Sequence, residues 1–136
     1  MKASGAEDKA DLARRALATR LMNEVLDCDP AILGLLVLGN VGRLISVGRS
    51  SQLKESEYVS QMMVKNFGSI AALILSAARN ATEFMGGLEL VIGVFKNQKV
   101  LLMNLQEYNL ALALRLSRSA NANYVYRKIV NTFGTS

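Results

Sequence analysis

The stretch LELVIGVF (88–95), VLLMNL (100–105), LALALRL (110–116) decides the fold. Three apolar runs of strand length follow one another across two polar gaps, Lys96-Asn97-Gln98-Lys99 and Gln106-Glu107-Tyr108-Asn109. Gaps that short join antiparallel neighbours as hairpins. The stretch therefore predicts a three-stranded meander. Ala122–Phe133 behind it, with Val125, Ile129 and Phe133 at four-residue spacing, predicts a closing helix. Almost nothing reactive is carried on this scaffold, which points to binding and away from catalysis.

Upstream, Gly86-Gly87 terminates a long helix predicted over Glu55–Met85, as glycine past a last helical turn does. Before it, Ala31–Leu38 is continuously apolar, the pattern of a central strand buried on both faces. Gly39-Asn40-Val41-Gly42 reads as a turn, Arg43–Val47 as a second strand and Gly48–Lys54 as a polar loop. Glu7–Leu26 contains no Gly or Pro and repeats Leu17, Leu21 and Val25, so it predicts a first helix, stopped at Asp29-Pro30. Residues 1–6 read as a tail and 7–136 as one domain. The order of helix, two strands, long helix, three strands and helix predicts an α/β sandwich with a five-stranded antiparallel sheet.

The long helix carries two candidate faces. Val59, Met63, Phe67, Ile70, Ile74, Ala77 and Ala81 form one apolar stripe, expected against the sheet. On the opposite side Gly68, Ala72 and Ser76 stack at four-residue intervals, flanked by Val64 and Leu75, with Gln61, Lys65, Arg79 and Glu83 beside them. A glycine inside a helix costs about 1 kcal/mol, so a small-residue row is expected to repay that by close packing. This face is assigned to self-association or a partner.

Composition narrows the function. The chain has 136 residues, 51% hydrophobic and 20% charged, with one Pro, one Cys and no His. Without histidine the usual general base and the commonest zinc ligand are missing. There is no Gly-x-x-x-x-Gly-Lys-Ser/Thr phosphate loop, and the Gly39–Gly42 turn leads into a strand, not the helix a phosphate site needs. Neither a cofactor, a metal nor a catalytic residue is expected. The net charge of +5 is spread along the chain, which argues against a nucleic-acid surface. Cys28, flanked by Asp27 and Asp29, reads as a structural residue in a reducing compartment. No secretory leader is visible and no uninterrupted apolar run reaches the roughly 20 residues of a membrane span, so a cytoplasmic chain without membrane insertion is expected.

The same element order is carried by ILGLLVLGNVGRLI (32–45), the long helix ending in glycine, LELVIGV (88–94), KVLLM (99–103) and LALAL (110–114). Over about Ile32–Phe133 the sequence resembles the roadblock / dynein light chain family of prokaryotic, small-GTPase-associated type. Where that family often has an acid in the first turn, this chain has Asn40. The resemblance implies a profilin/longin-like fold, with the long helix on one sheet face and two shorter helices on the other. It implies a homodimer that pairs the long helices and the middle strand, placing Val64, Gly68, Ala72, Leu75 and Ser76 with Leu90, Ile92 and Val94 on the seam. It further implies a Ras-like small GTPase as partner and, in some members, stimulation of GTP hydrolysis; Gln61, Lys65 and Arg79, beside the small-residue face, are the residues expected to contact it. Other members of the family are structural scaffold subunits of motor or signalling assemblies, which is the alternative expectation.

Overall fold

The computed structural model describes residues 5–39 and 42–133, without the side chains of residues 5–8, 10, 11 and 106. The elements are α1 (Gly5–Cys28), β1 (Ile32–Gly39), β2 (Leu44–Arg49), α2 (Glu57–Met85), β3 (Leu90–Val94), β4 (Gln98–Leu105), β5 (Leu110–Ser117) and α3 (Ala122–Phe133). The strands form one antiparallel sheet in the order β2-β1-β5-β4-β3. The expected α/β sandwich is present, with α2 on one face and α1 and α3 on the other. Gly5 and Ala6, expected in a tail, already belong to α1. Of the expected Gly39–Gly42 turn, Asn40 and Val41 lie outside the described residues, and Gly42 N–H donates to Gly39 O at 2.9 Å.

β5 organises the core because both its faces are covered. Its alternation of Leu and Ala is a division of labour between the two layers. Leu112, Leu114 and Leu116 join Leu35, Val37, Leu101 and Met103 beneath α1 and α3, which contribute Leu21, Val25, Val125 and Ile129. Ala111 and Ala113 point the other way and, with Leu36, Leu38 and Leu102, floor the α2 layer. Large side chains thus fill one layer while small ones let α2 settle on the other.

Local chemistry sets the element ends. Ser56 caps α2, its Oγ accepting from Val59 N–H at 3.1 Å, and Gly86 at φ +82° ends it with an N–H bond to Thr82 O. Phe95 N–H donates to Gln98 O at 2.8 Å, closing the β3–β4 hairpin around Lys96-Asn97, so β4 begins two residues before the expected Val100. α1 lies close on β2 because Gly48 has no side chain where Met22 sits. Lys128 of α3 reaches back to Asp29 at 3.1 Å and ties the two helices on that face together.

Candidate functional site

α2 is seated differently from the expectation. Its inward line runs through Val64, Ala71 and Leu75, with Phe67 and Ile74 on one flank. On the other flank Gly68 is close enough to β1 that a Cβ there would lie 3.7 Å from Leu36 Cδ1, and Ala72 meets Gly42. Val64, Gly68, Ala72 and Leu75, assigned above to a partner, therefore pack on the chain's own sheet, and Ser76 alone of that set is exposed. The small-residue row does allow close packing, but of β1 and Gly42 against the helix. The stripe expected inward is displaced by about a third of a turn. Phe67 and Ile74 keep contact with the core, whereas Val59, Ile70 and Ala77 are exposed.

Part of the displaced stripe, together with Leu73 and Phe84, leaves a row of large apolar side chains exposed on α2. Leu73 is 71% exposed and Phe84 85%, with Val59 and Ile70 between 43% and 48%. By length and composition α2 could even cross a membrane, and only 11% of its most apolar window is buried. The stripe does not stand alone. Between α2 and the β3–β4 hairpin lies an open cleft of about 550 Å³ walled by Val59, Met63, Phe67, Ile70, Phe95 and Val100. Beside it β3 is an edge strand, paired with β4 and with no other strand among the described residues. Leu90 and Ile92 are partly buried against the core shared with α1 and α3, and Val94 is exposed. What β3 offers a partner is thus its backbone edge and Val94, not the side chains of Leu90 and Ile92.

A second cleft, of about 480 Å³, opens on the other flank of α2, against β1 and β2. Gln61 and Lys65 line it, next to Val47 and Arg49. Arg79 lies at the far end of α2, beside a third hollow formed with Leu88, Asn104 and Asn109. The three residues assigned to a GTPase thus share an exposed side of α2 but divide between two hollows.

Beneath both larger clefts sits a polar pair that was not anticipated from the sequence. Arg115 projects from β5 on the alanine side, directly under the start of α2. Its Nη1 and Nη2 donate to Glu55 Oε1 and Oε2, each at 2.9 Å, and its Nε donates to Gln98 at 3.2 Å. Both side chains are about nine-tenths buried. Ser60 Oγ also donates to Glu55, at 2.8 Å, and accepts from Arg49. The Arg115 hydrogen bonds, opposed by burial and helped by Ser60, hold the Glu55 carboxyl well down, at about 2. The network fastens the loop before α2 to the middle of the sheet. The sequence signal was a lone arginine in LALALRL, at a position whose neighbours in the alternation are small and buried.

Among the described residues no cluster of three or more His, Cys, Asp or Glu is placed to hold a metal. Glu55 and Arg115 satisfy one another, leaving neither as an acid, a base or an unpaired anion site. The arrangement combines apolar walls, an open strand edge and a fixed polar floor.

No family model and no curated protein matches the chain. Solved structures do. The chain superposes on a roadblock/LC7 domain from Streptomyces avermitilis with a TM-score of 0.57 and 16% identity, over 85% of this chain and 96% of that one. It is similar to MglB in a tetrameric arrangement, with a TM-score of 0.61 and 13% identity over 85% and 82% of the two chains. A gliding protein, MglB from Thermus thermophilus, matches with a TM-score of 0.57 and 10% identity over 91% and 93%. At such identities the likeness is one of fold, and the fold is the roadblock type.

Proposed function

We propose that the chain is a non-catalytic, self-associating adaptor of the cytoplasm that binds a Ras-like small GTPase. The observation that carries the reading is the exposed apolar flank of α2, continuous through the Phe95 cleft with the open edge of β3. A soluble chain does not normally leave a patch of that kind uncovered. A twofold copy that pairs β3 edge to edge and lays its α2 alongside covers both at once. The seam then consists of Val59, Met63, Ile70 and Phe95 with the β3 backbone, in place of the Gly68–Ala72 row. The roadblock fold, and the likeness to MglB structures, one of them tetrameric, support self-association. The GTPase comes from the family resemblance, and Gln61, Lys65 and Arg79 on the exposed side of α2 are the residues proposed to meet it.

The test is a pull-down from native lysate with the chain as bait, run in parallel with GDP and with a non-hydrolysable GTP analogue. A small GTPase retained only with the analogue supports the adaptor reading. One large assembly retained in both lanes without a GTPase would make the chain a scaffold subunit and end the GTPase proposal.

A further inference from the structure

β2 is the other open edge of the sheet, paired with β1 and with no other strand among the described residues. The register tells which of its groups are unused. Ser50 N–H donates to Leu33 O at 2.9 Å, and Gly48 stands opposite Leu35 two residues on. In antiparallel alternation Ser50 and Gly48 therefore bond inward, and Val47 and Arg49 direct their N–H and C=O groups away from the sheet. The same two residues stand opposite Leu36 and Gly34, so their side chains lie on the α2 face. Both border the 480 Å³ cleft, with Lys65 across from them. An incoming strand thus finds backbone partners and a hollow for its side chains at one place.

The edge is weakly guarded. Proteins blunt such edges with lysine, proline or inward-pointing charge. Leu44–Gly48 carries none of these, and Leu44 and Val47 are each more than two-fifths exposed. Its one guard is a bulge at Ile45, the residue left over between the Val37–Ser46 and Leu38–Leu44 pairs, which leaves Val47 and Arg49 in regular register. The surroundings carry a net positive charge: Arg49, at the end of the strand, is offset by Glu57, and the excess comes from Arg43, which leads into the strand, and Lys65, which faces it. Of the two nearby acids, Glu55 is taken up by Arg115 and Glu57 lies 3.7 Å from Arg49.

We propose that β2 is a docking edge for an extended acidic segment of a partner protein, which adds to the sheet as a sixth strand. The residue of that segment opposite Arg49 is an acid, and the residue two positions away, opposite Val47, is apolar and enters the cleft. A second copy of this chain fits poorly, because it would bring its own net positive charge to an edge that already carries one. This edge lies across the sheet from β3 and does not depend on the reading of the seam.

The test selects displayed random octapeptides against the biotinylated chain, then measures the enriched sequences as fluorescein-labelled peptides by anisotropy. Enriched peptides are expected to carry an acid and an apolar residue two positions apart, and to slow amide exchange at Val47 and Arg49 of the native chain. Val47→Pro removes one outward N–H while keeping the inward ladder, and is expected to weaken binding about tenfold. Arg49→Glu should weaken it as well. The proposal is overturned by selection that enriches nothing, by enriched sequences without acids, or by peptides that leave exchange at Val47 and Arg49 unchanged. It is equally overturned if folded Val47→Pro binds as well as the native chain. Dissociation of a native oligomer by Val47→Pro would give the edge to a second copy and overturn it too.

Discussion

Replacing Glu55 by Gln keeps the shape of the side chain and removes the charge that faces Arg115. The structure sets the size of the effect. The carboxyl titrates at about 2 in the folded chain against an ordinary 4.5, which corresponds to about 3 kcal/mol of stability at neutral pH. A folded-state pKa below the unfolded one stabilises when the group is ionised in both states. The contribution is therefore complete well above pH 4.5 and drains away as the pH falls from 4.5 towards about 2. Urea unfolding followed by far-ultraviolet circular dichroism gives the comparison. At pH 7 the Glu55→Gln chain should be less stable than the native one by about 2–3 kcal/mol. Near pH 2.5 the two should agree to within about 1 kcal/mol. Asp29, also held below its usual range, is common to both chains and cancels in the difference. A gap that stays constant with pH, or no gap at pH 7, would refute the account of the Arg115 site. The double replacement Arg115→Met with Glu55→Leu should restore most of the lost stability, because two apolar side chains replace a buried pair without leaving either charge alone.

The seam on α2 predicts that Ile70→Glu gives a folded monomer, read by light scattering, whose melting temperature matches that of the native chain diluted until it dissociates; a persistent dimer would remove Ile70 from the interface. Ala72→Arg should behave otherwise, lowering the melting temperature through its clash with Gly42, where even a Cβ would stand 2.9 Å from Ala72. Gly48→Val overpacks the contact with Met22 on the opposite face and should cost about 1–3 kcal/mol. An unchanged melting temperature for Gly48→Val would show that α1 does not rest on β2 as described.

The fold was legible because it is written in local signals. Two short polar gaps define hairpins, Asp29-Pro30 and Gly86-Gly87 stop helices, and the unbroken apolarity of Ile32–Leu38 announces a strand covered on both sides. Each of these depends on a few adjacent residues and survived assembly with shifts of one or two positions. The Glu55–Arg115 pair, separated by 60 residues, has no local signal of its own. Only the misfit of an arginine within an alanine-facing row hinted that a carboxylate must come to meet it.

The seating of α2 was lost for a different reason. Its 29 residues carry more apolar surface than one sheet face can cover, so two stripes compete for the inside and periodicity cannot choose between them. The choice is made by the floor. Ala111 and Ala113 leave a shallow trough, and β1 rises beside it with Leu36 and Leu38. A helix enters such a trough best by its narrow side, where Gly68, Ala71 and Ala72 let backbone approach backbone. The bulkier Val59–Ile70 side is left over, and it is left on the flank that faces β3. The same small-residue packing that anchors the helix to its own chain is therefore what turns its large apolar residues outward. Weakening that packing should loosen the seam as well. Ala71→Gly, which keeps the fit but removes a buried methyl, should lower dimer affinity measured by sedimentation equilibrium along with the melting temperature, whereas a falling melting temperature with undiminished dimer affinity would separate the two and refute the link.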